Sequence, residues 1–296
     1  MGERPEYSGV FEFINEHLAD EYRMLPATER YRELIESEQY DRPLAPVSPG
    51  RRELPNPAEA AEWVKGRARE LHADLVGITR LNRDWTFAHG HVEGTYAIVL
   101  GVRMDYRDIK AAPDLRQGAE TTRAYYALGH IVHALTDALR SEGWEAWPQH
   151  PRFSHKRHHS MVHPPHAIAA GLGRLGRHGL VITEEFGPCV RWGAVTTHMP
   201  LDVDPPNPVD VLEYCEGCTD CRDACEADAI PDEPTVVRGV RKYKVLPMRC
   251  AHEFARWDGC SKCQAYCPFL DSYPEGLRDV RPWTPSPADG GPLPTW

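Results

Sequence analysis

The chain predicts an α/β layer domain followed by a small two-cluster ferredoxin-like unit, on three observations. Eight of the nine cysteines fall in two runs near the C-terminal end: Cys215, Cys218, Cys221 and Cys225, then Cys250, Cys260, Cys263 and Cys267. Amphipathic helices alternate with short apolar strands before those runs, which is how a layered α/β domain reads. The prolines at 205, 206 and 208 separate the two regions.

The first elements are mixed. Val10 to Ile35 shows scattered helical periodicity among many charges, and Pro43 to Pro57 is proline-rich, so residues 1–58 read as an arm and linker. Pro57 and Ala58 open a helix whose apolar face is Ala61, Val64, Ala68 and Leu71. Leu75 to Ile78 is a short buried strand. Tyr96 to Val102 is a clearer one, because an apolar run without charges suits a strand covered on both faces. Residues 119–142 form the best helix: Ala124, Leu128, Ile131, Leu135 and Leu139 repeat on a 3.6 period and Gly143 stops it. Leu180 to Ile182 and Val190 to Thr197 read as strands around a turn at Glu185 to Pro188. The layer domain therefore spans 59–210, the cysteine unit 211–272, and a proline-rich wrapping or disordered tail 273–296.

Composition narrows the function classes. A formal charge of −10 disfavours a general nucleic-acid surface, which needs a basic field. No apolar run approaches eighteen residues, so no membrane span is expected. Met1 to Glu6 carries neither an apolar signal region nor a twin arginine leading into one, and a cytoplasmic location is expected.

The cysteine spacing carries the chemistry. A C-x2-C-x2-C-x3-C run offers three thiolates to one iron–sulfur cube from a short turning backbone, and in two-cluster ferredoxins the fourth thiolate crosses to the other cluster. That predicts one [4Fe–4S] cluster on Cys215, Cys218, Cys221 and Cys267, and another on Cys250, Cys260, Cys263 and Cys225. The gap before Cys260 is irregular, and Glu226 stands where a proline is usual; neither removes a ligand. Paired zinc sites are the competing reading, but zinc has no use for the third and fourth cysteines at this spacing. A disulfide scaffold would want a secretory context. Cys189, alone in an apolar stretch, reads as a packed thiol. Two clusters suit a relay carrying electrons inward from the surface.

Residues 171–176 match G-x-G-x-x-G, yet a helical stretch precedes them and a strand follows, the reverse of a dinucleotide fingerprint. Gly171, Gly173 and Gly176 instead let backbone approach a large flat cofactor or carry left-handed turns. Six histidines lie between His150 and His166 or at those ends, in addition to the ligand candidate His178; a polar loop and a metal site both remain open for them. Tyr125 and Tyr126 are adjacent on the long helix, so at most one faces a pocket squarely.

These stretches, in order, resemble the corrinoid-dependent reductive dehalogenases. The matching segments are Ala73 to Ile78, Val99 to Tyr106, Tyr125 to Trp144, Ala170 to Thr183, Phe186 to Pro188, Thr196 to Leu201 and the first cysteine run. A more distant resemblance is to epoxyqueuosine reductase, a tRNA-modifying enzyme with the same cofactors. The resemblance implies a nitroreductase-like α/β domain holding a base-off corrinoid (cobalamin) beside a two-[4Fe–4S] ferredoxin-like domain. It implies a reductase acting on a small organic substrate, an organohalide by default. The family's tyrosine proton donor falls on Tyr125, and its arginine helper on Arg177. Gly171, Gly173, Gly176 and His178 fall where the corrinoid would be contacted. A tyrosine is a weak acid, and a guanidinium nearby would ease its proton release. Pro151, Arg152 and the histidine-rich loop occupy the region where the family often places an asparagine or lysine. A ferredoxin or flavodoxin is the expected donor, since no flavin or nicotinamide site is readable, and no nucleic-acid partner is expected. The alternatives are a non-dehalogenating cobalamin-dependent reductase or electron carrier on this fold, and an enzyme like epoxyqueuosine reductase.

Overall fold

The computed structural model describes residues 10–20, 22–88, 90–150, 160–209 and 211–296. In chain order, helices α1 (Val10–His17) and α2 (Pro26–Ile35) precede a proline-rich coil and helix α3 (Pro57–Glu70). Strands β1 (Leu75–Arg80) and β2 (Tyr96–Arg103) follow, then α4 (Tyr106–Lys110) and the long α5 (Arg116–Ser141). Strand β3 (Ala146–Gln149), helix α6 (His163–Ala169), the hairpin β4 (Arg174–Leu175) and β5 (Val181–Ile182), and strand β6 (Val190–Thr197) come next. The cysteine region contributes α7 (Val211–Gly217), α8 (Asp220–Asp223), the hairpin β7 (Thr235–Val237) and β8 (Val240–Lys242), α9 (Pro247–Trp257) and α10 (Lys262–Ala265).

The core sheet is antiparallel, in the order β1-β2-β6-β3. Strand β2 lies between β1 and β6, and Ala97, Ile98, Val99 and Leu100 lose all contact with solvent. That is the outcome expected of an uncharged apolar run with helices over it. Helix α5 packs on β2, β3 and β6, and α6 on β1, β2 and β6. Ala124, Leu128, Ile131, Leu135 and Leu139 are the buried stripe of α5, each large side chain contributing roughly 1.5–3 kcal/mol by its burial. The helix stops where Gly143 turns to φ +82, with the Gly50 carbonyl 2.4 Å from where a Cβ would stand. No other residue fits there without strain.

Two elements differ from the sequence expectation, each for a visible reason. Residues 10–20 and 22–40, read as part of an arm, are helix and turn packed on the rest of the chain. Tyr31, Leu34 and Ile35 of α2 bury against Tyr126, and Ile14 of α1 with Leu18 just after it against Ala251 and Ala255 of α9. Their charges sit on the outer faces and obscure the apolar stripes. Strand β3 escaped notice because Pro148 interrupts it; it is the sheet's edge, where a missing N–H is tolerated. The tail wraps. Arg123 of α5, fully buried, donates to Glu120 at 2.7 and 2.8 Å and to the Trp283 carbonyl at 2.8 Å. The Trp296 indole donates to Asp108, which Arg281 also engages.

Helix α6 carries a buried imidazole at its fourth residue. His166 is inaccessible to solvent; its Nδ1 bonds to the Val162 carbonyl at 2.8 Å and its Nε2 accepts from the Asn82 N–H at 3.4 Å. This pairing requires the neutral ring, and burial holds its pKa down to about 4. A folded value below the unfolded one (near 6.5) means the unfolded chain binds the extra proton first. Stability from His166 is therefore complete above about pH 6.5 and declines as pH falls towards about 4, by on the order of 3 kcal/mol in all. Urea denaturation at pH 7 and pH 5 should show the wild type losing more stability than His166→Gln. Equal losses would assign the acid sensitivity to other groups.

Candidate functional site

The two cysteine runs fold towards each other. Cys215, Cys218, Cys221 and Cys267 line one small cavity, together with Arg177, His178, Tyr214, Pro268 and Phe269. The crossing is structural: Cys267 follows the short helix α10, which packs on α8 of the first run. Burial pushes Cys267 up to about 12, with the Cys221, Cys215 and Cys218 thiols adding to the effect. Cys225, the last of the first run, sits instead with the second. Burial raises Cys250 to about 11, and its next influences are Cys260 and Cys225. Cys263 is raised by burial first and then by Cys250, Cys221, Cys260 and Cys225, so it lies where the groups adjoin. Among the described residues no three His, Cys, Asp or Glu side chains converge on the position of a single metal ion. Cys189 is far from this chemistry in kind: it is a fully buried thiol bonded to the Met104 carbonyl at 3.5 Å.

The glycine segment shapes a hairpin that packs on the cysteine region, Ile182 of β5 lying against Val211, Cys215, Tyr243 and Cys267. Gly171 turns at φ +75 against the Pro205 carbonyl, and Gly173 faces the Ile182 carbonyl at 2.2 Å from its missing Cβ. Gly176 approaches the Ile182 and His178 side chains. Protein atoms stand where a Cβ would be at all three glycines, so each supports a turn or a close packing contact of the chain itself. The hairpin they shape carries Arg177 and His178. The His178 Nδ1 accepts from the Leu180 N–H at 3.1 Å, which leaves Nε2 as the protonated donor. That nitrogen is buried without a partner among the described residues, on a ring that lines the cavity of the first thiol group. Burial alone lowers the ring's pKa to about 4.

A second, larger cleft of about 320 Å³ opens in the layer domain. Phe87, Met161, Val162, Leu180, Val181 and Trp192 give it apolar walls, and Tyr125, His163 and Arg191 its polar groups. Of the two adjacent tyrosines, Tyr125 faces this cleft, whereas Tyr126 is fully buried and donates to Glu38 at 2.8 Å. Both lie well inside α5, which starts at Arg116.

Arg177 does not join Tyr125. Its guanidinium donates to the Cys215 carbonyl at 2.6 and 3.0 Å and to the Asp232 carbonyl at 2.9 Å, and stacks 4.0 Å above the Tyr243 ring. The arginine that shares the cleft with Tyr125 is Arg191, which reaches the Thr121 hydroxyl at 3.4 Å, one turn before Tyr125 on the same helix face. Its Nε is buried without a partner among the described residues. Sequence reading missed Arg191, although a cation inside the apolar run Val190 to Val195 was the available signal. Of the histidine-rich stretch, His163 lines the cleft, His150 pairs with Gln39 and His166 is structural. Residues 151–159, with Pro151, Arg152 and the remaining histidines, lie outside the described residues.

Comparison with known proteins places this architecture. A tetrachloroethene reductive dehalogenase of Sulfurospirillum multivorans is 28% identical over 274 residues, covering 76% of this chain and 53% of that protein. One of Desulfitobacterium hafniense is 30% identical over 270 residues, covering 71% and 48%. The chain is homologous to the reductive dehalogenases. It spans about half the length of the curated relatives it matches. Similarity to epoxyqueuosine reductases is weaker: that of Salmonella typhimurium is 27% identical over 215 residues, 68% of this chain and 55% of that one. The solved structure of a catabolic reductive dehalogenase superposes with a TM-score of 0.71 at 24% identity, over 85% of this chain and 38% of the other. The α/β fold is thus that of the reductive dehalogenases. No family model matches the chain. No helix among the described residues is long and apolar enough to cross a membrane.

Proposed function

We propose that this chain is the catalytic core of a corrinoid- and iron–sulfur-dependent reductase that removes halide from a small organic molecule. The observation that carries the reading is the exchange of Cys267 and Cys225 between the two thiol groups, beside a cleft holding Tyr125 and Arg191. Residues 211–272 would form the two-cluster domain and 59–210 the nitroreductase-like, corrinoid-binding one, in a cytoplasmic protein.

The donor sets fit. Cys215, Cys218, Cys221 and Cys267 would hold one [4Fe–4S] cluster, and Cys250, Cys260, Cys263 and Cys225 the other. The unpartnered His178 N–H would donate to a sulfur of the first, the kind of hydrogen bond that raises a cluster's potential. Arg177 keeps the Cys215 backbone in position. The apolar walls of the cleft, Met161, Val162, Leu180 and Val181 among them, suit one face of a flat macrocycle with a substrate over it. A bound corrinoid would supply the low-potential electron chemistry.

The remaining work belongs to the side chains. Two electrons and one proton convert a carbon–halogen bond into carbon–hydrogen and release halide. Tyr125 provides the proton from its hydroxyl, and Arg191 stabilises the negative charge left on that oxygen. Phe87 and Trp192 exclude water and seat an apolar substrate. The relatives' names point to tetrachloroethene, and one solved relative is described in complex with 3-bromo-4-hydroxybenzoic acid, so these are suitable first substrates.

Anaerobic reconstitution tests the reading. We expect about eight irons and one cobalt per chain, the latter with a base-off spectrum, followed by halide release on reduction. Eight irons without corrinoid uptake would leave an electron carrier; zinc in their place would remove the proposal entirely.

A further inference from the structure

Residues 238–249 carry five cations, Arg238, Arg241, Lys242, Lys244 and Arg249, and no acid, in a chain whose formal charge is −10. They run from the β7–β8 turn to the start of α9. Only Arg241 is neutralised by a carboxylate, that of Glu216; Arg238, Lys242 and Lys244 make no ion pair among the described residues. They are close enough to repel one another: burial and then Lys244 and Arg238 draw Lys242 below its ordinary lysine value. Such a cluster costs stability in the isolated chain and is relieved by an anionic surface.

The same hairpin presents apolar side chains to water. Val236 is 71% exposed and Val240 55%. Exposed apolar residues ringed by like charge are the composition of a protein-docking patch with electrostatic steering. Beyond the hairpin, Tyr243 is buried against Cys215 and Cys267, and Leu246 bonds to Ala229 before α9 delivers Cys250. The patch therefore adjoins the first thiol group, and the chain runs on from it into α9, which carries Cys250 of the second. Nucleic acid would also seek cations, but the exposed valines and the chain's overall charge favour a protein.

We infer that the β7–β8 hairpin is the docking surface for an acidic one-electron carrier protein, which delivers electrons to the cysteine groups beneath it. This rests on the cluster reading above. The test compares the reconstituted wild type with a charge-reversed triple variant (Arg238→Glu, Lys242→Glu, Lys244→Glu) and with Val236→Ser/Val240→Ser. Each is reduced in stopped flow by an acidic plant-type ferredoxin, and separately by photoreduced deazariboflavin, a small reductant that needs no docking.

With ferredoxin at low salt the charge-reversed variant should be slower by about tenfold or more, and the wild-type rate should fall as salt rises. The serine variant should bind more weakly with an unchanged salt slope. Deazariboflavin should reduce all three alike. Equal ferredoxin rates in wild type and charge-reversed protein would overturn the inference. So would an RNA stem-loop whose binding is lost in that variant while the ferredoxin rate is untouched. If reconstitution incorporates no iron, the cluster reading falls by itself; ferredoxin binding to the full chain, measured by interferometry, then decides the surface. Binding lost on charge reversal supports it, and no binding or equal binding sinks it.

Discussion

Cys267→Ser should strip the cluster of the first cysteine run, and Cys225→Ser that of the second. Each variant is expected to retain about four of the eight irons, because one cube of four remains fully ligated. The residual electron paramagnetic signal identifies which cube survives. Cys267→Ser should match Cys218→Ser, and Cys225→Ser should match Cys260→Ser. The expectation runs against sequence proximity, since Cys267 is four residues from Cys263 and far from Cys218. It follows from the cavity that Cys267 shares with Cys215, Cys218 and Cys221, and from the influence of Cys225 on Cys250. If Cys267→Ser instead behaves like Cys260→Ser, each run closes its own site and the crossing is wrong. The effect should be large because a buried serine hydroxyl neither ionises at neutral pH nor matches the softness of a thiolate towards iron.

How much of this was legible in the sequence depends on where the signal was local. The β2 strand and the α5 stripe could be read because their periodicity is unbroken over many residues, and burial followed it. The gathering of the cysteines could be anticipated because their spacing is itself local. Strand β3 could not, since Pro148 masks a strand that only its edge position tolerates. The helices of residues 10–40 were obscured by charges on the faces they turn away from α5 and α9. The failure at Arg177 has a different cause. Arginines 177 and 191 are equally plausible partners for a distant tyrosine until the fold commits Arg177 to the Cys215 and Asp232 carbonyls. Which arginine shares the cleft with Tyr125 is decided by how β6 packs on α5, a tertiary fact with no short-range signature. The glycines at 171, 173 and 176 show the same limit: the need for close approach was visible, but not that Pro205, Ile182 and His178 are the protein groups that approach them.

Tyr125→Phe should lower halide release by about 10²- to 10⁴-fold, the usual contribution of a positioned acid, with iron and cobalt content unchanged. The phenyl ring keeps the wall of the cleft, so substrate binding should change little and the loss should appear in kcat. Tyr126→Phe is the internal control. Its hydroxyl is spent on Glu38 inside the protein, so its removal should cost about 1–3 kcal/mol of stability and leave turnover near wild type. The two arginines separate in the same way. Arg191→Met should reduce kcat with both cofactors in place, since the guanidinium acts on the charge left by the departing proton. Arg177→Met should instead deplete iron, because it frees the Cys215 carbonyl and loosens the first thiol group. Should Tyr125→Phe turn over as the wild type does while Arg177→Met loses catalysis with its iron intact, the acid lies elsewhere. His163, the other polar group of the cleft able to carry a proton, would then be the residue to substitute next.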